Sequence, residues 1–104
     1  MSDETDTVER LARLRASIDA IDHALVNLLA ERRALVAEVF AFKVTHGLPL
    51  VDPARESALL AERALFAEAR GVPPILATRM FQDILESSHD EAAAVNLSSG
   101  RDLG

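Results

Sequence analysis

Leucine, isoleucine and valine recur at every third or fourth position through the first part of the chain, at Leu11, Leu14, Ile18, Ile21, Leu25, Leu28, Leu29, Val36 and Val39. That spacing gathers them on one side of an α-helix, and the strict alternation of a half-buried strand is absent. The pattern predicts one amphipathic helix over 8–46. Glycine and proline, which interrupt helices, are bunched at Gly47, Pro49 and Pro53, at Gly71, Pro73 and Pro74, and at Gly100 and Gly104. They divide the remainder into two further helices. The second opens with Asp52 as N-cap and Pro53 at the first helical position, and stops at Gly71. The third starts at Pro73-Pro74 and runs through Met80, Phe81, Ile84 and Leu85 to about Val95. Residues 1–7 read as a disordered N-terminal segment, 8–95 as a helical domain and 96–104 as a flexible polar tail. The expected fold is all-α, with three helices per chain, one of them very long.

The first helix carries an implication of its own. At about 1.5 Å per residue it extends roughly 58 Å, whereas a compact domain of this size has a radius of gyration of about 13 Å. Its apolar stripe continues along nearly the whole length, so a monomer leaves leucines facing water unless another chain covers them. An intertwined helical homodimer is expected.

Composition narrows the chemistry. The chain has 104 residues, a formal net charge of -6, and no Cys, Trp or Tyr. One domain is all that length holds. The lack of cysteine removes disulfides, thiolate nucleophiles and thiolate-ligated metals. No apolar run approaches a membrane span, and the polar, acidic start is unlike a secretory leader, so the expected location is cytoplasmic. Acidity without a Lys/Arg tract, and few aromatic rings, argue against nucleic acid or membrane as the main partner. His23, His46 and His89 lack helical partners of ligand type, and there is no HExxH, P-loop, GxGxxG or GxSxG, which leaves no expected metal or cofactor. His89-Asp90-Glu91 reads as a solvated helix end.

Two cations break the apolar stripe. With Ile18 as zero and about 100° per residue, Arg32 falls at about -40° and Lys43 at about -20°, three turns or roughly 16 Å apart. Either alone is explained by a long side chain lying over apolar neighbours or pairing with a carboxylate. Together they make a clamp for a small dianion between them. Arg15, at the stripe's edge, lies roughly 25 Å from Arg32 along the helix and shares a small ligand with it only across two antiparallel copies. Asp52 is a cap, Glu56 a charge suited to a helix N-terminus, and Ser88 a small polar group continuing the Phe81, Ile84, Leu85 face. Arg55 is a further candidate for a ligand, with pairing to nearby carboxylates the first expectation.

The segments LARLRASIDAIDHALVNLLAERRALVAEVFAFK, GLPLVDPARESALL and MFQDILESS resemble the all-helical chorismate mutases over about residues 8 to 92. The motif set is L-R-x-x-I-D-x-I-D, L-L-A-E-R-R, Lys43 eleven residues after Arg32, D-P-x-R-E, and a serine late in the third helix. The resemblance implies an intertwined dimer in which one chain builds most of each active site and an arginine of the other completes it. Carried over by position, Arg15 is the arginine donated across the dimer, Arg32 the main carboxylate-binding arginine, and Lys43 the contact to the ether oxygen and a carboxylate. Asp52, through its backbone, and Glu56 lie near the substrate's ring hydroxyl, and Ser88 contacts the ring carboxylate. The implied reaction is chorismate to prephenate, without cofactor or metal, a step of the shikimate pathway that serves aromatic amino acid biosynthesis or a specialised route.

One position departs from the family pattern. Ala92 stands where members usually carry Gln or Glu on the ether oxygen, which leaves Lys43 alone or with a water. Losing such a donor costs on the order of 3 kcal/mol. The departure keeps open an isochorismate-pyruvate lyase or a mutase of amino-substituted chorismate. Beyond these stand a helical dimer that binds a metabolite or partner enzyme with little catalysis, and a purely structural coiled-coil dimer.

Overall fold

The computed structural model describes residues 2–103, with side chains over 3–97. Its elements are α1 (Ser2–Thr45), α2 (Pro53–Ala69) and α3 (Pro74–Leu103), with no strand among the described residues. The three-helix expectation holds, and the outer ends differ from it. α1 begins at Ser2 rather than Val8, with Asp3 and Glu4 in its first turn, where carboxylates face the positive end of the helix dipole. α3 continues past Val95 to Leu103. Ala92, Ala93, Ala94 and Leu97 favour the helix, and Gly100, with no proline beside it, costs only about 1 kcal/mol.

The inner ends follow the punctuation closely. Asp52 adopts an extended conformation, φ -125° and ψ 94°, and its carboxylate accepts the Arg55 N–H at 3.0 Å, with Pro53 next in line. Satisfying an otherwise orphaned donor in this way fixes where α2 starts. α1 and α2 then end alike. Leu48 N–H donates to the Lys43 carbonyl at 2.8 Å and Gly47 N–H to Val44 at 3.3 Å, while Val72 N–H donates to Ala67 at 2.9 Å and Gly71 N–H to Glu68 at 3.1 Å. This is the Schellman pattern, which requires a left-handed residue just beyond the helix. Gly47 and Gly71 supply it, with φ of 65° and 74°.

The chain divides into two compact units, Met1–Leu35 and Val36–Gly104. Within the described part of the first there is one helical segment in which every residue is exposed except the half-buried Arg32. Its apolar stripe is uncovered: Ile18 is 57% exposed, Ile21 61% and Leu28 59%.

The second unit holds the core. Here α2 and α3 form an antiparallel hairpin across the turn at 70–73, with Arg63 lying over the Phe81 ring at 5.8 Å. Ala67 and Ala77 are buried, and small side chains there allow close approach of the two backbones. The last turns of α1, the loop before α2 and the later part of α3 meet in a cluster of Phe40, Leu50 and Ala92, flanked by Val36 and Val95.

Candidate functional site

Lys43 sits in the last turn of α1 and is half-buried. The Schellman turn sends the chain back past its own helix end, and burial of Leu50 beside Phe40 anchors the returning strand of loop. That path brings the Leu50 carbonyl to the Lys43 ammonium, which donates to it at 3.1 Å. An ammonium has three N–H donors, so two remain for a ligand. The inward aim read from the helical angle therefore acquires a fixed partner.

Asp52, Glu56 and Ser88 fall on the same unit. The Asp52 carboxylate is committed to its cap, and its carbonyl accepts the Glu56 N–H at 3.0 Å. Glu56 is half-buried one turn into α2. Across the hairpin, His89 Nε2 lies 2.8 Å from both Glu56 carboxylate oxygens. Ser88, half-buried beside His89 in sequence, donates its hydroxyl to the Ile84 carbonyl at 3.1 Å. The structure thus brings Glu56 to the Ser88-His89 stretch of α3.

His89 corrects one expectation. It is not a solvated helix end, because the antiparallel register that sets Arg63 against Phe81 also sets His89 against Glu56. Sequence spacing along one helix gives no sign of such a pair. The signal lay in folding the chain about Gly71 and matching positions equally far from the turn.

Arg15 and Arg32 belong to the first unit, Arg15 exposed and Arg32 half-buried. Ala92 is 2% exposed and packed in the cluster with Phe40 and Leu50. The departure from the family pattern is therefore a filled apolar position. Among the described residues no group of His, Cys, Asp or Glu is arranged to hold a metal ion, and no helix is long and apolar enough to cross a membrane.

Comparison with known proteins bears directly on these positions. The family model for chorismate mutase type II matches residues 14–92. The chain belongs to this family. All six candidate positions, from Arg15 to Ser88, fall inside the matched range of the type II chorismate mutase model. The chain is 45% identical over 82 residues to a T-protein of Enterobacter agglomerans, covering 79% of the chain and 22% of that protein. It is 40% identical over 78 residues to a bifunctional chorismate mutase/prephenate dehydratase of Escherichia coli, covering 75% of the chain and 20% of the relative. A chorismate mutase of Methanocaldococcus jannaschii is 32% identical over 85 residues, covering 82% of the chain and 84% of the relative. The chain thus spans about a fifth of the length of the bifunctional relative and the T-protein, and most of the Methanocaldococcus jannaschii protein.

Proposed function

We propose that the protein converts chorismate to prephenate and works as an intertwined homodimer. The observation that carries the reading is the family match over 14–92, which takes in Arg15, Arg32, Lys43, Asp52, Glu56 and Ser88 together. The reaction is internal to one molecule: an ether C–O bond breaks, a C–C bond forms, and no atom leaves. It needs no nucleophile and no electron carrier. The protein has to hold an extended dianion in its compact reactive conformer and to offset negative charge gathering on the ether oxygen.

Arg32 and the partner subunit's Arg15 bind carboxylates, for which the planar guanidinium fork is suited. Lys43 presents its ammonium to the ether oxygen and a carboxylate, and the Leu50 carbonyl holds it in place beforehand. Asp52, through its backbone, and Glu56 receive the ring hydroxyl. Ser88 turns from the Ile84 carbonyl to the ring carboxylate. The uncovered stripe on the first unit supports the dimer, since a monomer rarely leaves so continuous an apolar surface in water. The names of the bifunctional relatives support a place in aromatic amino acid biosynthesis, beside an enzyme that consumes prephenate.

The departure at Ala92, which is buried and offers no donor to the ether oxygen, keeps open one second reading on the same scaffold, isochorismate-pyruvate lyase. Purified protein incubated separately with chorismate and isochorismate, with products identified by chromatography, tests both. Prephenate from chorismate is the expected result. Pyruvate from isochorismate alone transfers the assignment to the lyase, and consumption of neither overturns both.

A further inference from the structure

Glu56 is held by a residue on another helix. Its carboxylate, half-buried in the first turns of α2, meets His89 Nε2 at 2.8 Å through each oxygen, and the imidazole itself is about half exposed, at 45%. An ionised carboxylate only accepts hydrogen bonds, so the proton of this contact resides on Nε2. One N–H shared between two oxygens leaves the outer lone pairs of both open to a second donor.

A glutamate has three side-chain torsions and loses substantial rotamer freedom when a ligand fixes it. A donor that straddles both oxygens removes that freedom before the ligand arrives. We infer that His89 is a positioning residue for the mutase reaction, which orients the Glu56 carboxylate so that the substrate's ring hydroxyl meets a preset acceptor. This rests on the proposed function and deepens it: α3 contributes twice to ring recognition, through Ser88 directly and through His89 by way of Glu56. No contact between His89 and substrate is required. The effect belongs to binding of the hydroxyl in ground and transition states alike, so it resides in KM more than in kcat.

The test uses the full chain, chorismate, and a chorismate analogue lacking the ring hydroxyl. His89→Leu is expected to lower kcat/KM on chorismate about fivefold to tenfold, mainly through KM, and to change it by less than about twofold on the analogue, as befits one charge-assisted hydrogen bond. His89→Gln, whose amide N–H reaches the same carboxylate, is expected to recover most of the loss. A loss of equal size on both substrates, or one appearing wholly in kcat, overturns the inference. Because the His89 side chain is about half exposed and outside the buried core, circular dichroism of both variants is expected to match the wild type.

Glu56→Ala separates this inference from the reading beneath it. If Glu56→Ala leaves chorismate turnover unchanged, the assignment of Glu56 to the hydroxyl falls, and the role of His89 with it. If Glu56→Ala costs activity on chorismate while His89→Leu does not, the site assignment stands and the positioning role alone is overturned.

Discussion

The Lys43 ammonium is tied to the carbonyl of Leu50, seven residues further along the chain, at 3.1 Å. Both ends of this bond are set by separate local devices, the helix end at Gly47 and the burial of Leu50 against Phe40. The cation is thereby oriented by backbone geometry, which no ligand has to impose. Lys43→Ala is expected to lower kcat at least a hundredfold, about 3 kcal/mol of charge stabilisation at the ether oxygen, and to reduce stability by only about 1 kcal/mol for the lost hydrogen bond. Steady-state kinetics beside urea unfolding checks both; a variant with wild-type rates refutes the role.

Phe40 and Ala92 share one buried cluster, so a larger side chain at 92 crowds it. Ala92→Gln is expected to reduce stability by about 1–3 kcal/mol, since it crowds the cluster and buries an amide in apolar surroundings. Phe40→Ala alone is expected to cost about 3–5 kcal/mol by opening a cavity. The double variant is expected to lose at least 1 kcal/mol less than the sum, the signature of two side chains competing for one space. Denaturant curves on the four proteins of the cycle decide the matter, and simple additivity would contradict direct packing.

Asp52 satisfies the Arg55 N–H at the start of α2. Asp52→Ala is expected to cost about 1 kcal/mol and Asp52→Asn much less, because the amide oxygen caps nearly as well. Thermal unfolding separates the two. As the resemblance assigns Asp52 to substrate through its backbone, Asp52→Asn is expected to retain near wild-type kcat.

Gly71 is in the left-handed region, and an added Cβ would meet nothing within 4 Å. Gly71→Ala therefore isolates the conformational penalty, about 1–2 kcal/mol for a left-handed L-residue. Gly71→Asn is expected to fall between alanine and glycine, since asparagine tolerates this conformation better. Equal stability of all three proteins would mean that the α2–α3 turn relaxes freely.

Ile18 and Ile21 stand exposed on the first unit, where the proposed dimer covers them. Ile18→Glu is expected to shift the protein towards monomer in analytical ultracentrifugation and to abolish turnover in parallel. Monomers with full activity would remove the dimer from the mechanism.

The helices were legible because their signals are local. A three-and-four periodicity names α1, Asp52-Pro53 starts α2, and Gly47 and Gly71 end the helices that precede them, each acting through bonds within a few residues. The outer helices run further than polar composition alone suggests, from Ser2 and to Leu103, because residues 2–7 contain neither proline nor glycine and residues 96–103 contain no proline. At the site, the inward aim of Lys43 followed from its angle on the helix. Its Leu50 partner did not, being set by a turn, and neither did Glu56–His89 nor Phe40 beside Ala92, which depend on how separate segments come together.

Arg15 and Arg32 lie on one helical segment, seventeen residues or roughly 25 Å apart, too far to grip the same small ligand from one chain. In the proposed dimer every catalytic centre consequently draws on both polypeptides, and neither chain completes one alone. Two inactive proteins, Arg15→Ala and Arg32→Ala, are then expected to rescue each other when unfolded and refolded together. Random pairing makes half the dimers mixed, and each mixed dimer holds one centre with both arginines and one with neither. About a quarter of the wild-type activity should return, from a mixture in which no chain is whole.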